Sequence, residues 1–270
     1  MQNNQKKNPR YFLKSLAKGL RCLQVIAESG RPVSLTEIAK NMDTNKASAT
    51  RLCYTLTELD FIQRDIHKHF QLTPNILKLG YPAVCDMGWS DISKYHLGKL
   101  FKEVNHTVSL SILNADEIVF LIRFRISKHL PFDIRMGTKL PVHCTAMGKV
   151  LMAMGDPQTI KPILDKLVLK PLTVHTITQK KIFVKELKRI KKMGYALNDE
   201  ELSIGNRSIS APVVDSRGYS VAAVVISVHT SNYSLEEMEQ AFAAPITRTA
   251  YEISQSLIKA GTLPSNAGTF

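Results

Sequence analysis

The feature that most constrains this chain is a pair of short predicted helices in residues 34–60, which read SLTEIAKNMDTNKASATRLCYTLTELD. Ser34 is followed three residues later by Glu37, the spacing of a capping box, which predicts a helix that begins at Leu35. The polar residues 43–45 then interrupt the apolar period and favour a turn. This stretch therefore predicts two short helices that are joined tightly.

The second helix of the pair has two different faces. Leu52, Leu56 and Leu59 are spaced four and three residues apart and form an apolar stripe. Small, polar and basic side chains lie off that stripe, namely Lys46, Ala47, Thr50, Arg51 and Tyr54. Such a pair is either a helix-turn-helix or an ordinary helical hairpin in a globular core, so the flanking sequence has to decide between them.

The flanking segments favour a winged helix-turn-helix. A helix capped by Ser15 is expected before the pair, and Gly30 follows it. Its apolar stripe comprises Leu16, Leu20, Leu23 and Ala27. After the pair the period changes to two, which predicts strands at 61–64 and 69–72 joined by a basic turn. Three helices followed by a small hairpin are typical of a DNA-binding domain whose wing is the hairpin.

The net charge indicates an anionic partner. The 270 residues carry 36 Lys and Arg against 23 Asp and Glu, a formal net charge of +13, and the sequence pI is about 9.6. Residues 1–81 hold 13 basic and 6 acidic residues, a net of +7, whereas residues 82–270 hold 23 and 17, a net of +6. The N-terminal third, which contains the helix pair, is the more basic part, and phosphate binding is its natural interpretation.

No metal site, disulfide framework or cofactor is expected. Cys22, Cys53, Cys85 and Cys144 are far apart and form no CxxC pair. The basic N-terminus is not followed by an apolar core of signal-peptide length, and the longest apolar run, within residues 221–228, is too short to span a bilayer. We therefore expect a soluble, cytoplasmic protein with no membrane partner.

The rest of the chain predicts an α+β domain. A linker helix over 74–89 is expected to join residues 11–73 to a second domain at 90–260, with tails at 1–10, which we expect to be disordered, and at 261–270. Helices are predicted to begin near Ser90, Thr145, Pro157, Lys180 and Ser234. Strands are predicted at 107–113, 117–125, 132–135, 195–198, 208–214 and 220–228. Helices flanking a mostly antiparallel sheet define the α+β class.

These blocks, in their order and spacing, resemble the IclR family of bacterial transcriptional regulators from about Tyr11 to Leu257. The matching segments of the first domain are SLAKGLRCLQVI, SLTEIAKNM, NKASATRLCYTL and FQLTPNILKLG. Those of the second domain are MGTKLPVHCTAMGKVLMA, GYALNDEELSIGNRSISAPVVD and VAAVVISV. Within the family, YFLKSLAKGL, CTAMGKVLMA, NRSISAPV and SVHTSNYSLEE more narrowly resemble members that regulate aromatic-acid catabolism, of the protocatechuate and β-ketoadipate type.

The resemblance implies a winged helix-turn-helix domain and a GAF-like effector-binding domain. It implies a homodimer, or a dimer of dimers, on a palindromic operator in double-stranded DNA, with RNA polymerase as a further candidate partner. It also implies that a small organic acid, aromatic or dicarboxylic, binds the second domain and changes the activity of a promoter for a catabolic operon. Activation and repression both remain open.

The expected DNA contacts lie on the second helix of the pair and on the wing. They are Lys46, Ala47, Ser48, Thr50, Arg51, Tyr54, His67 and Lys68. Arg51 suits guanine or a phosphate, and a salt bridge within the domain is its alternative. Ser48 could instead cap the helix locally, and the two wing residues could be solvated charges. The family often begins this helix with Pro-Lys-Ser-Thr, whereas this chain has Asn45-Lys46-Ala47-Ser48, so Ala47 can offer a thymine methyl contact but no hydroxyl.

An acid-binding pocket is expected where the loop of residues 137–144 enters a helix at Thr145. A helix N-terminus supplies free N–H groups and a favourable dipole, and glycines keep the backbone approachable. The loop and helix start contribute Gly137, Ala146, Met147 and Gly148, and the family's pocket positions match Ala146, Met147, Asn198, Ser208 and Ser227. For Met147 and the two serines, ordinary core or sheet packing is the alternative. Arg135 and Arg207 could neutralise an acid or could pair with carboxylates at 199–201.

Two other classes of protein are alternatives to a ligand-controlled regulator. A DNA-binding protein without a ligand is disfavoured by the glycine-marked loop and the large second domain, and a ligand-induced change in thermal stability would separate it from a sensor. A thiol enzyme could use His143 as base and Cys144 as nucleophile, but neighbours in an extended segment point to opposite faces. The sequence contains no phosphate loop, HExxH or GxSxG motif, so we expect no enzyme.

Overall fold

A computed structural model describes residues 11–80, 89–126 and 134–262, and the chain divides into two compact units, Met1–Ala83 and Val84–Phe270. The N-terminal tail and nearly all of the C-terminal tail predicted from the sequence lie outside the described residues. Within the described part of the chain, no helix is long and apolar enough to cross a membrane.

The first unit is a winged helix-turn-helix, as predicted. Its elements in chain order are α1 (Lys14–Ser29), α2 (Leu35–Asn41), α3 (Lys46–Glu58), β1 (Ile62–Arg64) and β2 (Phe70–Leu72). The predicted capping box forms, because the Glu37 N–H donates to Ser34 Oγ at 3.3 Å and the Ser34 N–H donates to Glu37 Oε2 at 2.9 Å. Asn45 caps α3 by accepting the Ser48 N–H at 2.8 Å, and β1 and β2 pair antiparallel.

The buried faces of α1 and α3 differ from the predicted stripes. The two helices bury Cys22, Leu23, Val25, Ile26, Ala49, Cys53 and Leu56. Leu16, Leu20 and Leu59 are exposed, because the core of this unit extends along α1 only from Cys22 and α3 ends before Leu59. The prediction that Ser15 caps α1 was also wrong, since α1 begins one residue earlier and its cap position makes no side-chain hydrogen bond.

The predicted linker helix over 74–89 is described only at its two ends. Thr73 caps its start, because the Asn75 N–H donates to Thr73 Oγ1 at 3.2 Å. Pro74–Ile76 form a 3₁₀ turn, and helical residues continue from 77 to 80. The stretch that follows, up to residue 88, lies outside the described residues.

The second unit is an antiparallel sheet between helices, as the α+β prediction requires. Its helices are α4 (Trp89–Val104), α5 (Ala146–Met154), α6 (Pro157–Lys166), α7 (Lys180–Met193) and α8 (Leu235–Ala260). Its strands are β3 (Thr107–Asn114), β4 (Glu117–Phe124), β5 (Lys139–Pro141), β6 (Ala196–Asp199), β7 (Asn206–Val214) and β8 (Ser220–His229). The six strands lie in the order β5-β4-β3-β8-β7-β6, and each pairing is antiparallel.

Both faces of this sheet are covered by helices. On one face Val224 packs in a core with residues of α4 and α8 such as Leu97 and Ile253, while on the other its neighbour Val225 packs with residues of α5 and α7 such as Val150 and Phe183. Successive strand residues point to opposite faces, so a strand covered on both sides needs apolar residues at consecutive positions. This explains the unbroken apolar run that the sequence shows in β8.

Two predictions in this unit were wrong. The strand predicted at 132–135 is absent where it is described: residues 134 and 135 lie outside any strand, and residues 132 and 133 are outside the described part of the chain. Instead Lys139–Pro141, predicted as loop, form β5, because they satisfy the backbone groups of β4 at the edge of the sheet. The helix α4 begins at Trp89, close to its predicted start at Ser90.

Candidate functional site

The start of α3 presents one exposed polar face. Lys46, Ala47, Thr50, Arg51 and Tyr54 are all exposed there. They lie opposite the buried face of the helix, which packs on the rest of the unit. An exposed face of basic, small and aromatic residues at a helix start suits entry into the major groove of DNA.

Of the hydroxyl-bearing residues at the start of α3, Ser48 is half-buried and Thr50 is engaged by the helix itself. The Ser48 N–H is bound by the Asn45 cap. Thr50 Oγ1 donates its proton to the Lys46 carbonyl at 2.8 Å, so in this conformer its hydroxyl offers DNA only an acceptor. The structure thus leaves Lys46, Arg51 and Tyr54 as the better-placed donors of the set.

A basic groove adjoins this face and contains residues that the sequence analysis missed. The start of α1 and the first turns of α3 line it together, with Lys14, Lys18 and Arg51 as its cationic side chains. Lys14 and Lys18 are four residues apart and therefore share one face of α1. The four-residue spacing of the two lysines can be seen in the sequence. Only the packing of α1 against α3, however, brings these lysines beside Arg51.

The wing turn is built around Asp65. Asp65 Oδ1 accepts the N–H groups of His67 at 2.9 Å and His69 at 2.8 Å, and the Lys68 N–H donates to the Asp65 carbonyl at 3.0 Å. The two bonds that Oδ1 accepts, the one from the His69 N–H first, hold the pKa of Asp65 below its usual range. His67 and Lys68 are exposed on the turn, where they can reach a phosphate.

The second unit contains a cavity at the N-terminus of α5, against the sheet. Its volume is about 30 Å³, which is too small for an aromatic acid with the side chains as they stand. Its walls are Phe120, Arg123, Ile134, Leu140, Cys144, Thr145, Ala146, Met147, Asn198, Leu202, Asn206, Ser208, Val225 and Ser227. A larger guest must therefore displace some of these side chains.

Five of the residues that were predicted to bind the effector line this cavity together, namely Ala146, Met147, Asn198, Ser208 and Ser227. Gly137 and Gly148 do not line it. A Cβ on Gly148 would lie 2.3 Å from Val142 Cα, so this glycine allows α5 to approach the preceding segment. Gly137 has φ of 82° in a turn and donates its N–H to the Phe120 carbonyl at 2.8 Å.

The cationic residue of the cavity is Arg123, which the sequence analysis missed. The register of β3 and β4 shifts between Leu110 and Ser111, which leaves Leu121 as a bulge and brings Arg123 to the same face as Phe120. Arg123 Nη1 donates to Ser109 Oγ at 3.2 Å, and the guanidinium carbon lies 5.9 Å from the centre of the Phe120 ring.

Neither of the two arginines proposed from the sequence lines the cavity. Arg207 follows the alternative, since its Nε lies 2.5 Å from Asp199 Oδ1 and its Nη1 donates to the Tyr233 carbonyl at 2.8 Å. Arg135 lies in the turn that precedes β5, where its backbone N–H donates to Thr138 Oγ1 at 2.9 Å.

Asn198 connects the sheet to the start of α5. Its Nδ2 donates to the Cys144 carbonyl at 2.6 Å, and the residue is 1% exposed. Its Oδ1 is buried and has no hydrogen-bond partner among the described residues. A buried acceptor that borders a cavity suits a guest with a hydroxyl or N–H donor.

The Cys144 thiol is unsuited to nucleophilic catalysis. Burial, with a further contribution from the Glu201 carboxylate, raises the pKa of Cys144 to about 12, so the thiol stays protonated at neutral pH. His143 Nε2 lies 2.9 Å from the Lys170 carbonyl, and Cys144 Sγ approaches the Pro141 carbonyl at 3.8 Å. The two side chains thus have separate partners and form no dyad.

A buried ionic cluster lies behind the cavity wall. Lys149 on α5 is 1% exposed, donates to Glu201, and lies 4.0 Å from Glu186 on α7. Burial raises the pKa of Glu201, while two hydrogen bonds from Arg189, at 2.8 and 2.9 Å, lower that of Glu186. The cluster joins α5, α7 and the loop after β6.

Both units match known protein families. Residues 15–65 match the model of the IclR helix-turn-helix domain, and residues 83–255 match that of the bacterial transcriptional regulator IclR C-terminal domain. Among curated proteins, the chain is similar to the Pca regulon regulatory protein of Pseudomonas putida, with 25% identity over 247 residues that cover 91% of this chain and 84% of the relative.

Two solved structures share this fold. The IclR protein of Thermotoga maritima is 29% identical, with a TM-score of 0.75 over 90% of this chain and 98% of its own. An IclR homolog from Microbacterium hydrocarbonoxydans, solved in complex with 4-hydroxybenzoate, has a TM-score of 0.77 over 91% and 99% of the two chains. At 19% identity, the second likeness concerns the fold alone.

Proposed function

The chain belongs to the IclR family of bacterial transcriptional regulators, which bind DNA through a helix-turn-helix domain, and on this premise we propose that a small aromatic acid controls its activity. The observation that carries the proposal is the cavity at the start of α5, where the Arg123 guanidinium and the Phe120 ring lie together. A guanidinium binds a carboxylate through charge-assisted hydrogen bonds, and an apolar wall with a ring accepts an aromatic guest.

The proposed orientation of the acid follows from the polar groups of the wall. The carboxylate lies toward Arg123 and the first-turn N–H groups of Ala146 and Met147, which have no partners within the helix. The Asn198 Oδ1 accepts a hydrogen bond from a hydroxyl on the ring. Ser208 and Ser227 are the other polar residues on this side of the cavity. A hydroxybenzoate meets these requirements. The similarity of the chain to a Pca regulon regulatory protein supports this class of acid.

For DNA, we propose that two copies bind a palindromic operator. Their α3 helices enter successive major grooves, which is the geometry that a two-fold helix-turn-helix protein requires. Arg51 and Tyr54 read base edges or clamp phosphates, Lys46 and the groove lysines Lys14 and Lys18 bind phosphates, and the wing reaches the flanking backbone through Lys68. Binding of the acid changes operator affinity or contact with RNA polymerase, by about 1–3 kcal/mol in a typical allosteric protein.

A thermal-shift series tests the acid-binding step separately. Purified protein is heated with 4-hydroxybenzoate, protocatechuate, β-ketoadipate and, as a control without a carboxylate, phenol. We expect a rise in Tm for at least one hydroxybenzoate and none for phenol, because a ligand that binds only the folded state stabilises it by mass action. No shift with any acid would favour a DNA-binding regulator without an effector.

A further inference from the structure

The second unit carries its whole net charge on one helix. Residues 84–270 contain 23 Lys and Arg and 17 Asp and Glu, a net of +6. The helix α7 alone contains seven basic residues and one acidic residue, which is also a net of +6. The remaining residues of this unit, with 16 of each sign, are neutral. A strongly positive element on an otherwise neutral domain indicates a local anionic partner.

The structure gives α7 one buried and one basic face. Phe183, Leu187 and Ile190 are buried in the core that α7 shares with α5. The exposed lysines Lys181, Lys185, Lys188 and Lys192 are spaced four, three and four residues apart, which places them on one face of the helix. At about 1.5 Å per residue they extend over roughly 17 Å. We call these four residues the lysine face.

The lysine face has no acidic partner within the described part of the chain. Glu186, the one carboxylate on α7, is taken by Arg189 and lies 4.0 Å from the buried Lys149. Among the described residues, none of the four lysines forms an ion pair or a side-chain hydrogen bond. Like charges three and four residues apart repel each other and weaken a helix, so the face costs stability that an anionic partner would offset.

We propose that the lysine face binds the phosphate backbone of DNA, as a second contact surface outside the helix-turn-helix domain. The family's DNA-binding activity, on which this inference rests, already brings a polyanion to the protein. The four positions carry only ammonium groups, which bind phosphates as point charges and do not make the bidentate contacts that read base edges. The contact is therefore independent of base sequence and strongly dependent on salt.

The test compares two variants of equal charge in the full-length protein. The first is K181Q/K185Q/K188Q/K192Q, which removes the lysine face. The matched control, K94Q/K99Q/K102Q/K259Q, removes four exposed lysines from α4 and α8, on the opposite face of the sheet. Circular dichroism melts verify that both variants fold. Fluorescence anisotropy then measures the affinity of wild type and variants for a long random-sequence duplex across a salt series.

The salt slope distinguishes the outcomes. Each phosphate contact contributes about 0.9 to the slope of log K against log salt, so the lysine-face variant should lose about two to four units of slope. Wild type and control should give equal slopes, because their helix-turn-helix domains and lysine faces are intact. Equal slopes for all three proteins would overturn the proposal. If the slopes were equal but the lysine-face variant no longer changed transcription by RNA polymerase, the lysine face would instead bind an acidic protein partner.

Discussion

Lys68 adopts the left-handed backbone conformation that Gly218 adopts at the same position of a matching turn, with φ of 65° and 81° respectively. In both turns an aspartate, Asp65 or Asp215, accepts two following backbone N–H groups through Oδ1 and a third through its carbonyl. A side chain in this conformation costs about 1–2 kcal/mol, which glycine avoids. The wing thus carries a lysine where stability alone favours glycine, which points to a function for the ammonium group.

Replacing Lys68 separates stability from function. Lys68→Gly should raise the free energy of unfolding of the first unit by about 1 kcal/mol, and it should weaken operator binding with a loss of about 1 in the salt slope. Chemical denaturation and anisotropy measure the two effects. Lys68→Asn, which tolerates this conformation without the charge, is the control for the loss of affinity. Unchanged DNA binding in both variants would mean that the Lys68 ammonium is solvated and does not contact DNA.

Arg51 should matter for DNA and little for folding. Its side chain is exposed and none of the described residues pairs with it, so Arg51→Ala should change stability by less than about 0.5 kcal/mol. If Arg51 reads a guanine, the free energy of operator binding should weaken by about 1–3 kcal/mol. The protein should then also discriminate less between bases at that one operator position. Arg217→Ala, which removes an exposed arginine from a turn of the second unit, is the control and should bind normally. A uniform loss across all duplexes would assign Arg51 to a phosphate.

Arg123 should determine acid binding. Arg123→Gln keeps a hydrogen-bond donor but removes the charge, and we expect it to weaken hydroxybenzoate binding by at least about tenfold, because charge-assisted hydrogen bonds contribute about 1.5–3 kcal/mol. Isothermal titration calorimetry measures this affinity. Lys139→Gln removes one charge at the exposed edge of the sheet and serves as the control. Equal affinity of both variants for the acid would mean that Arg123 does not bind its carboxylate.

The buried Lys149 should be needed for the fold. Lys149→Met leaves Glu201 and Glu186 without their shared cation, and breaking a buried pair in this way typically costs about 3–5 kcal/mol. Adding Glu201→Gln should recover part of the loss, since it removes one of the uncompensated charges. Urea denaturation of the single and double variants measures both effects. A single variant as stable as the wild type would contradict this role.

The same variant should depend on pH in a defined direction. Burial raises the folded-state pKa of Glu201 above its unfolded value, and without Lys149 nothing offsets that rise. A group with a raised folded pKa contributes stability that is present at low pH and lost as pH rises through that pKa. The destabilisation caused by Lys149→Met should therefore be smaller at pH 5 than at pH 8. Equal losses at both pH values would mean that Glu201 does not take up a proton.

Local signals predicted where many elements begin. The capping box of Ser34 and Glu37 forms as predicted. A second one, of Ser234 and Glu237, forms where a helix start was predicted, and Thr145 caps α5 at another predicted start. Each of these signals depends on residues within one turn, so it can be recognised without the fold. The same is true of the turn at Asp215, because residues 215–218 are of types that favour a turn.

Features that depend on packing were not predictable. A strict period of two along β4 places Phe120 and Arg123 on opposite faces, and only the bulge at Leu121, which arises from pairing with β3, brings them together. The cationic residue of the cavity was therefore missed. Likewise, the exposure of Leu16 and Leu20 depends on how far the core extends along α1, which the helical period does not reveal.

The most direct test of the account measures operator binding with and without the acid. The DNA upstream of the gene and a scrambled duplex of the same length are titrated with protein by fluorescence anisotropy, with 4-hydroxybenzoate, protocatechuate, β-ketoadipate or no acid. We predict tighter binding to the native duplex and a change of about fivefold or more with one acid, which Arg123→Gln abolishes. Equal binding to both duplexes, or an acid effect that persists in Arg123→Gln, would contradict the account.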